Sequence, residues 1–224
     1  MQPLSQFDLR FSVQRLPSVL QERMMQVGDK MFVAGGFIRS CVAREPVMDI
    51  DVFCGSKEMA MGEAALCMRP GGRMHETENA FSIHGDHPTL QFIHRWTFQA
   101  VEACIESFDF TIAKAAVFYQ IAGEAGTWKS LCDEQFYPDL AAKRLVYTSP
   151  VRNEDAGGSM LRLLKFYQRG YRAPLATIGN VMARMVKGID FTKCGTDEAT
   201  IGNVLTGLLR EVDPNLDHQF YEQP

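Results

Sequence analysis

The chain has 224 residues, of which 46% are hydrophobic and 22% charged, and its formal net charge is −4 at pH 7. This acidic balance argues against a protein that coats nucleic acid non-specifically, because such binding draws on an excess of Lys and Arg. The length and the apolar fraction suffice for one large domain, or for a main domain with a smaller helical appendage.

The cysteines and the apolar segments indicate the compartment in which the chain works. Its six cysteines are scattered, without a CxxC pair or a nearby Cys/His set at metal-ligand spacing, so we expect neither a zinc site nor a disulfide framework. The N-terminus lacks an apolar core behind a basic start, and no apolar run approaches the roughly 20 residues that span a bilayer. We therefore expect a soluble protein in a reducing, cytoplasmic setting.

The first predicted unit is a helix followed by a strand, a glycine turn and a second helix. Residues 17–29 place apolar side chains at helical spacing behind a proline, which favours a helix start. Residues 30–34, KMFVA, predict a strand, which a Gly-Gly pair ends before a helix in FIRSCVAR. After a Glu-Pro step breaks that helix, MDIDVF (48–53) alternates polar and apolar residues and predicts a second strand.

The middle of the chain mixes helices and strands. A helix is predicted at about 57–68, and residues 79–85 and 89–94 alternate around a Gly-Asp-His-Pro turn, which predicts a β-hairpin. Residues 97–107 fit a helix. Residues 108–121, FDFTIAKAAVFYQI, fit either a long strand or a strand that enters a short helix.

From about residue 139 the pattern is mostly helical. The helical stretches are PDLAAKRLVY, SMLRLLKFYQRGY, a basic and apolar stretch to 187, and TDEATIGNVLTGLLREV, where Thr196 is the expected N-cap. The sequence therefore predicts a mixed α/β N-terminal part followed by a smaller helical C-terminal part.

Asp49 and Asp51 in the second strand form a candidate metal site. Side chains on a strand alternate between faces, so both carboxylates project to one side while Ile50 and Val52 project to the other. Two carboxylates on the same face of one strand repel each other unless a cation lies between them. Their oxygen atoms are hard ligands, which suit Mg²⁺. The pair is therefore a candidate for half of a two-metal phosphoryl-transfer site.

The glycine turn is a candidate phosphate site. Gly35 and Gly36 allow close approach of the backbone at a helix N-terminus, where an anion is favoured, and Arg39 lies within the first helical turn. Taken alone, a Gly-Gly turn is also typical of an ordinary connection between a strand and a helix. D-x-D alone is also typical of a solvated strand edge. The ordered combination of strand, GGxxR, helix and D-x-D strand favours a nucleotide site.

At these residues the sequence resembles the nucleotidyltransferase superfamily typified by DNA polymerase beta, and most closely the head domain of tRNA CCA-adding enzymes and bacterial poly(A) polymerases. The segment VAGGFIRS…REPVMDIDVF is similar to that family's GGxxRD followed by a D-x-D strand. The segment ESFDFTIAKAA is similar to a family segment of the form RRDFTxNA, and VRNEDAGGSMLRLLKFYQRGY more faintly resembles the neck motif EDxxR and its helix. The resemblance implies an α+β fold, with a mixed or antiparallel sheet in a nucleotidyltransferase head (1–138) and a helical neck-like region (139–224).

The resemblance also implies roles for single residues. Gly35, Gly36 and Arg39 would bind the triphosphate, together with Ser40, which stands where the family usually has an acid. Asp49 and Asp51 would bind two Mg²⁺ or Mn²⁺ ions and carry catalysis.

Two residues bear on the third acidic position of the family. Gln91, in TLQFIHR, stands where a third carboxylate is expected, so a neutral amide replaces a metal ligand. Asp109, in FDFT, is the nearest candidate to complete the acidic cluster, either directly or by orienting the nucleotide. A structural role for Asp109, capping the segment that follows it, is equally natural.

The neck-like segment departs from the family. Glu154-Asp155 is followed by Ala-Gly-Gly-Ser before Arg162. The chain therefore does not keep the spacing between the Asp and the Arg that contact the edge of the base in the family. Arg162, Lys165 and Arg169 recur at helical steps with Ser159, which fits an RNA or phosphate contact and a solvated basic face about equally. The chain also stops well short of the family's tRNA-gripping body, so we do not expect full CCA synthesis on tRNA.

Three functions follow as hypotheses. The first is a Mg²⁺-dependent nucleotidyltransferase that moves a nucleoside monophosphate from a nucleoside triphosphate to a hydroxyl and releases pyrophosphate; the resemblance implies an RNA acceptor, especially a tRNA 3′ end, and no membrane partner. The second is the same reaction on a protein or a small molecule. The third is a nucleotide-binding module that has lost turnover, for which Gln91 is the main support.

Overall fold

The computed structural model describes residues 1–85, 88–123, 125–150, 156–187, 189–195 and 197–212. The chain divides into two compact units, Met1–Ala141 and Ala142–Pro224.

A seven-stranded sheet forms the centre of the first unit. Its strands are β1 (Met31–Ala34), β2 (Asp49–Cys54), β3 (Met74–Glu76), β4 (Ala80–Ile83), β5 (Thr89–Ile93), β6 (Ala115–Ala122) and β7 (Ala125–Cys132). The strand order is β3-β4-β5-β2-β1-β6-β7. Neighbouring strands are antiparallel except β2 and β5, which are parallel. The predicted α+β fold with a mixed sheet is therefore confirmed.

Six helices accompany this sheet: α1 (Gln6–Gln14), α2 (Ser18–Val27), α3 (Gly36–Ala43), α4 (Lys57–Cys67), α5 (Val101–Ser107) and α6 (Phe136–Ala141). Helix α5 packs on one face of the sheet, where its Val101, Cys104 and Ile105 share a buried cluster with Phe32 and Phe53. The cluster also includes Ala34 at the end of β1.

Several stretches differ from the sequence prediction, which includes neither α1 nor β3. Residues 108–121 form a 3₁₀ turn (Thr111–Ala113) before β6, and β6 pairs along its whole length with β7, a strand that the sequence pattern does not predict. The helix predicted from residue 139 ends at Ala141. Lys143 has a left-handed backbone (φ 47°), and its carbonyl accepts a hydrogen bond from the Arg172 N–H at 2.8 Å, which takes the backbone out of the helical path.

The described part of the second unit is largely helical, as predicted. Its helices are α7 (Ala156–Gln168), α8 (Leu175–Val186), α9 (Phe191–Cys194) and α10 (Glu198–Val212). Tyr171 is fully buried and lies edge-on to Phe166, while Val181 and Met185 of α8 are also buried. Thr196, the expected N-cap of the last helix, lies outside the described residues. None of the helices in the described part of the chain combines the length and apolarity needed to cross a bilayer.

Candidate nucleotide-binding site

The two aspartates lie at the start of β2, on one face of the sheet. Ile50 and Val52 point to the opposite face and are fully buried, whereas Asp49 is exposed and Asp51 half-buried. The period-2 alternation of a strand therefore gives the geometry that the sequence predicts, with two carboxylates on the same side. Asp49, at the first position of β2, is the more exposed of the two carboxylates.

The two carboxylates influence each other electrostatically. Burial and, second, the negative charge of Asp49 raise the pKa of Asp51 from its ordinary 3.8 to about 7. A divalent cation placed between the two carboxylates would offset the repulsion and favour the ionised form of Asp51. In the part of the chain that the structure describes, no third His, Cys, Asp or Glu side chain joins them to form a metal-binding cluster.

The neighbouring strand β5 supplies neutral side chains to the same face. The parallel register places Gln91 opposite Asp51 and Thr89 opposite Asp49. On the next strand, the buried Ser82 pairs with Gln91. Strand β5 therefore presents an amide and one hydroxyl beside the aspartates, and β4 adds the hydroxyl of Ser82. Thr89 and Ser82 were not singled out from the sequence, although the alternation of the predicted hairpin places Thr89 and Gln91 on one face.

The glycine turn lies at the same end of the sheet. In the antiparallel pairing of β1 with β2, Val33 faces Val52, so the next residue of β1, Ala34, faces Asp51. Gly35 and Gly36 follow directly and begin helix α3, whose N-terminus has no side-chain cap. The first-turn N–H groups of α3 and the two carboxylates therefore lie at neighbouring strand ends.

The two glycines have different surroundings. Gly35 has a positive φ of 83°, its N–H donates to the Ala115 carbonyl at 2.9 Å, and a Cβ at this position would lie 3.1 Å from the Phe108 ring. A Cβ on Gly36 would have no other atom within 4 Å. Gly35 is thus required by the turn itself, while the space that a side chain at Gly36 would fill is open.

Arg39 and Ser40 are buried within α3. Arg39 donates from Nη2 to the Ser40 Oγ at 2.8 Å, and its Nε lies 3.6 Å from Oε2 of Glu45. The Glu45 N–H donates to the Ser40 carbonyl at 2.9 Å, which holds this acidic residue against the helix. The Arg39 charge is therefore matched by a carboxylate of the same chain, and its predicted contact with a triphosphate stays a prediction.

Asp109 lies between α5 and the 3₁₀ turn, next to Phe108, the residue whose ring lies beneath Gly35. It is buried, and its charge acts on the buried Lys114. Burial lowers the pKa of Lys114, and Asp133, Glu106 and Asp109 act in the opposite direction. Asp109 therefore has a nearby cation and does not form a three-acid cluster with the pair on β2. A role in orienting the nucleotide stays a prediction.

The predicted RNA-contact residues lie in the second unit. Arg162 and Lys165 are on α7, and Arg169 follows the end of that helix with its guanidinium 5.9 Å from the Phe166 ring centroid. A short parallel bridge between Arg144 and Arg172 brings further exposed cations into the same unit. The neck-like Glu154 and Asp155 lie outside the described residues.

Comparison with known proteins gives two results. A family model described as "Gabija anti-defense 2 family protein" matches residues 10–143, more than half of the chain. A search of curated proteins returns no match.

Solved structures of tRNA-processing enzymes share the fold. The Thermotoga maritima CCA-adding enzyme complexed with tRNA matches at a TM-score of 0.58 and 17% identity, over 93% of this chain and 51% of that chain. A CCA-adding enzyme with ATP matches at 0.59 and 18% identity, over 96% and 52%. A tRNA-processing enzyme with CTP matches at 0.53 and 18% identity, over 88% and 56%. The chain thus spans about half the length of these proteins, and the predicted resemblance to polymerase-beta-like nucleotidyltransferases is confirmed at the level of the fold.

Proposed function

The chain belongs to the Gabija anti-defense 2 family, and from this premise we propose that it is a metal-dependent nucleotidyltransferase that acts against a defence system. It transfers a nucleoside monophosphate from a nucleoside triphosphate to a hydroxyl group. One observation carries the proposal: Asp49 and Asp51 project from the start of β2 to one face of the sheet, and the uncapped N-terminus of α3 begins at the adjacent end of β1.

The carboxylate pair fits a divalent cation. Its oxygen atoms are hard ligands, and a cation bound to them would favour the ionised form of Asp51, whose pKa burial and, second, the charge of Asp49 raise to about 7. Bound Mg²⁺ or Mn²⁺ would offset phosphate charge and lower the pKa of the attacking hydroxyl. Asp49 and Asp51 would hold the metal, and Gln91 beside them can contribute an amide oxygen but no charge.

The glycine turn would hold the triphosphate. The first-turn N–H groups of α3 point out of the helix and carry its positive dipole end, and the missing side chain of Gly36 leaves room for a phosphate to approach the backbone. In the transfer, the acceptor oxygen bonds to the α-phosphorus as the bond from that phosphorus to the bridging oxygen breaks. Pyrophosphate leaves with the electron pair, and the hydroxyl proton passes to solvent.

Two kinds of acceptor have support. An RNA 3′ end agrees with the fold neighbours, one of which is described in complex with tRNA, and with the exposed Arg169 and Arg172 of the second unit. A protein acceptor, or a small molecule, agrees with the family description, which names an action against a defence system. A nucleotide-binding module without turnover agrees with the neutral Gln91.

One experiment separates these outcomes. The protein is incubated with each α-labelled nucleoside triphosphate and Mg²⁺ or Mn²⁺, with either tRNA and total RNA or the purified protein components of a Gabija system. Label on RNA or on protein identifies the acceptor class, and triphosphate binding without transfer identifies the binding module.

The matched variants are Asp49→Asn with Asp51→Asn, and Asp29→Asn as an exposed acid elsewhere in the same unit. We expect the double variant to lose transfer while Asp29→Asn keeps it. Transfer that survives in the folded double variant would remove the proposed mechanism.

A further inference from the structure

Helix α1 presents aromatic and cationic side chains on its outer face. Phe7 is 68% exposed, Arg10 and Arg15 are exposed, and Phe11 is half-buried, while Leu9 and Ser12 face inward. The rings of Phe7 and Phe11 lie 6.3 Å apart with 11° between their planes. With Arg44, described next, the outward residues Phe7, Arg10, Phe11 and Arg15 form what we call the α1 patch.

Arg44 completes the patch from the end of α3. Its guanidinium carbon lies 3.7 Å from the Phe11 ring centroid and 5.1 Å from that of Phe7. The backbone of Arg44 is left-handed (φ 58°, ψ 32°) at a helix C-cap, where glycine is the favoured residue. The chain therefore accepts a strained backbone at the one position that carries this side chain over the two rings.

Asp8 fixes the arrangement. It accepts hydrogen bonds from the Ser5 hydroxyl at 2.7 Å and from the Tyr137 hydroxyl at 2.8 Å, and it lies 3.7 Å from Nη2 of Arg44. Burial raises the pKa of Tyr137 further, from 10 to about 12. Asp8, which lies beside the patch, is thus satisfied by contacts within the chain itself, and the patch faces outward as a preorganised, cationic and aromatic surface.

We propose that the α1 patch docks a partner protein whose surface offers an apolar pocket for Phe7 with carboxylates at its rim. The inference rests on the proposed function, in which the chain acts on a component of a defence system. Exposed aromatic and arginine side chains on a rigid support are the residue types that dominate protein interfaces. The positive charge of Arg10 and Arg15 selects an acidic rim on the partner.

The same contacts favour a protein over single-stranded nucleic acid. A base-stacking platform needs open ring faces and cations with N–H groups left for phosphates. Here the Phe11 ring is flanked by Arg44 and by Arg15 at 5.5 Å. Arg44 donates to the Cys41 carbonyl at 3.2 Å and pairs with Asp8. One protruding ring, Phe7, remains, which suits an anchor in a pocket.

The test measures binding of the full chain to each purified protein component of a Gabija system by biolayer interferometry. The variants are Phe7→Ala and Arg44→Gly. Arg44→Gly removes the guanidinium where glycine is the better backbone residue, so lost binding cannot follow from backbone strain. The matched controls are Met61→Ala and Arg73→Ala, an exposed apolar and an exposed cationic residue elsewhere in the same unit.

We expect wild type and both controls to bind one component, and Phe7→Ala and Arg44→Gly to bind it at least about tenfold more weakly. The inference is overturned if no component binds, if the patch variants bind equally well, or if the patch residues instead affect binding of poly(A) or tRNA. It is equally overturned if they change only self-association, as measured by analytical ultracentrifugation.

A separate readout distinguishes this inference from the proposed chemistry. The Asp49→Asn and Asp51→Asn variant should bind the component as wild type does, while the patch variants should bind Mg²⁺ and triphosphate as wild type does. Docking with no nucleotidyl transfer by wild type would remove the proposed function and leave the docking surface in place.

Discussion

Gln91 of β5 lies in register with Asp51 of β2 on the adjacent parallel strand. The pairing brings a neutral amide beside the Asp51 carboxylate. The pKa of this carboxylate is raised to about 7 by burial and, second, by the charge of Asp49. An amide oxygen can ligate a hard cation but adds no charge to hold it. The two aspartates therefore provide all the carboxylate charge on these two neighbouring strands at this end of the sheet face.

Replacing Gln91 by Glu should strengthen metal binding. The substitution keeps the size of the side chain and adds a third carboxylate, and the charge count of the ligands is a main determinant of divalent-cation affinity. We expect Mn²⁺ to bind about tenfold more tightly, measured by calorimetry and by electron paramagnetic resonance. Gln120→Glu makes the same chemical change on the exposed end of β6 and should leave the affinity unchanged. Equal affinities in the Gln91→Glu variant and the wild type would show that Gln91 does not face the metal site.

Asp51 should make the metal-free protein less stable as the pH rises from about 4 to about 7. In the unfolded chain this carboxyl ionises near 3.8, and in the folded chain near 7, so between these values the folded state binds one more proton than the unfolded state. The free energy of unfolding then falls with pH by up to about 1.4 kcal/mol per unit, and the slope from this group vanishes above about pH 7. Urea denaturation at several pH values, with a chelator present, measures the free energy of unfolding and its slope with pH.

Asp51→Asn is the matched variant for this pH dependence. It removes the titrating group at nearly constant shape, so subtracting its profile from that of wild type isolates Asp51 from all other ionisable groups. We expect the variant to be more stable than wild type at pH 7 without metal, and this advantage to shrink when Mg²⁺ is added to wild type. Parallel profiles of the two proteins would contradict the raised pKa.

The sequence predicts the centre of this site because its signals are local. The apolar run of β1, the glycine pair and the polar–apolar alternation of β2 can be recognised within about twenty residues. Strand β7, AGTWKSLC, carries no such pattern and becomes a strand by pairing with β6. Residues 143–145 likewise leave the predicted helix because of hydrogen bonds to Arg172, far along the chain.

Contacts between distant residues limit what the sequence predicts of the site. The Glu-Pro step at Glu45 predicts only the end of a helix, yet the Glu45 side chain pairs with Arg39. Asp109 is predicted as a candidate for the acidic cluster, and the structure brings its charge to act on Lys114. These partners depend on how loops pack onto the sheet, and neither spacing nor composition encodes that packing.

Alanine at the two glycines should have opposite effects on stability. Gly35→Ala places a side chain at φ 83°, with its Cβ 3.1 Å from the Phe108 ring, and should lower the free energy of unfolding by about 1–3 kcal/mol. Gly36→Ala meets no atom within 4 Å at a helical position and should raise it by up to about 1 kcal/mol. Urea denaturation measures both changes.

The Gly36→Ala variant also tests the phosphate site. If a phosphate approaches the backbone at Gly36, the more stable Gly36→Ala variant should bind a fluorescent triphosphate more weakly than wild type. Gly62→Ala, in the interior of α4 and also with open space around its Cβ, is the control for a helix-stabilising change remote from the site. Unchanged triphosphate binding in Gly36→Ala would place the phosphates elsewhere.

Glu45→Gln should tighten triphosphate binding if Arg39 contacts phosphate. The Glu45 carboxylate lies 3.6 Å from the Arg39 Nε and competes with any other anion for that guanidinium. Removing its charge should therefore strengthen binding of a fluorescent triphosphate severalfold, at a cost of about 1 kcal/mol in the free energy of unfolding because a half-buried ion pair is lost. Glu22→Gln, an exposed acid on α2, controls for the change in net charge. In the Arg39→Ala background the gain from Glu45→Gln should disappear, since the cation for which the two anions compete is gone. An equal gain in both backgrounds would show that Glu45 repels the triphosphate directly and that Arg39 serves only to hold the loop between α3 and β2.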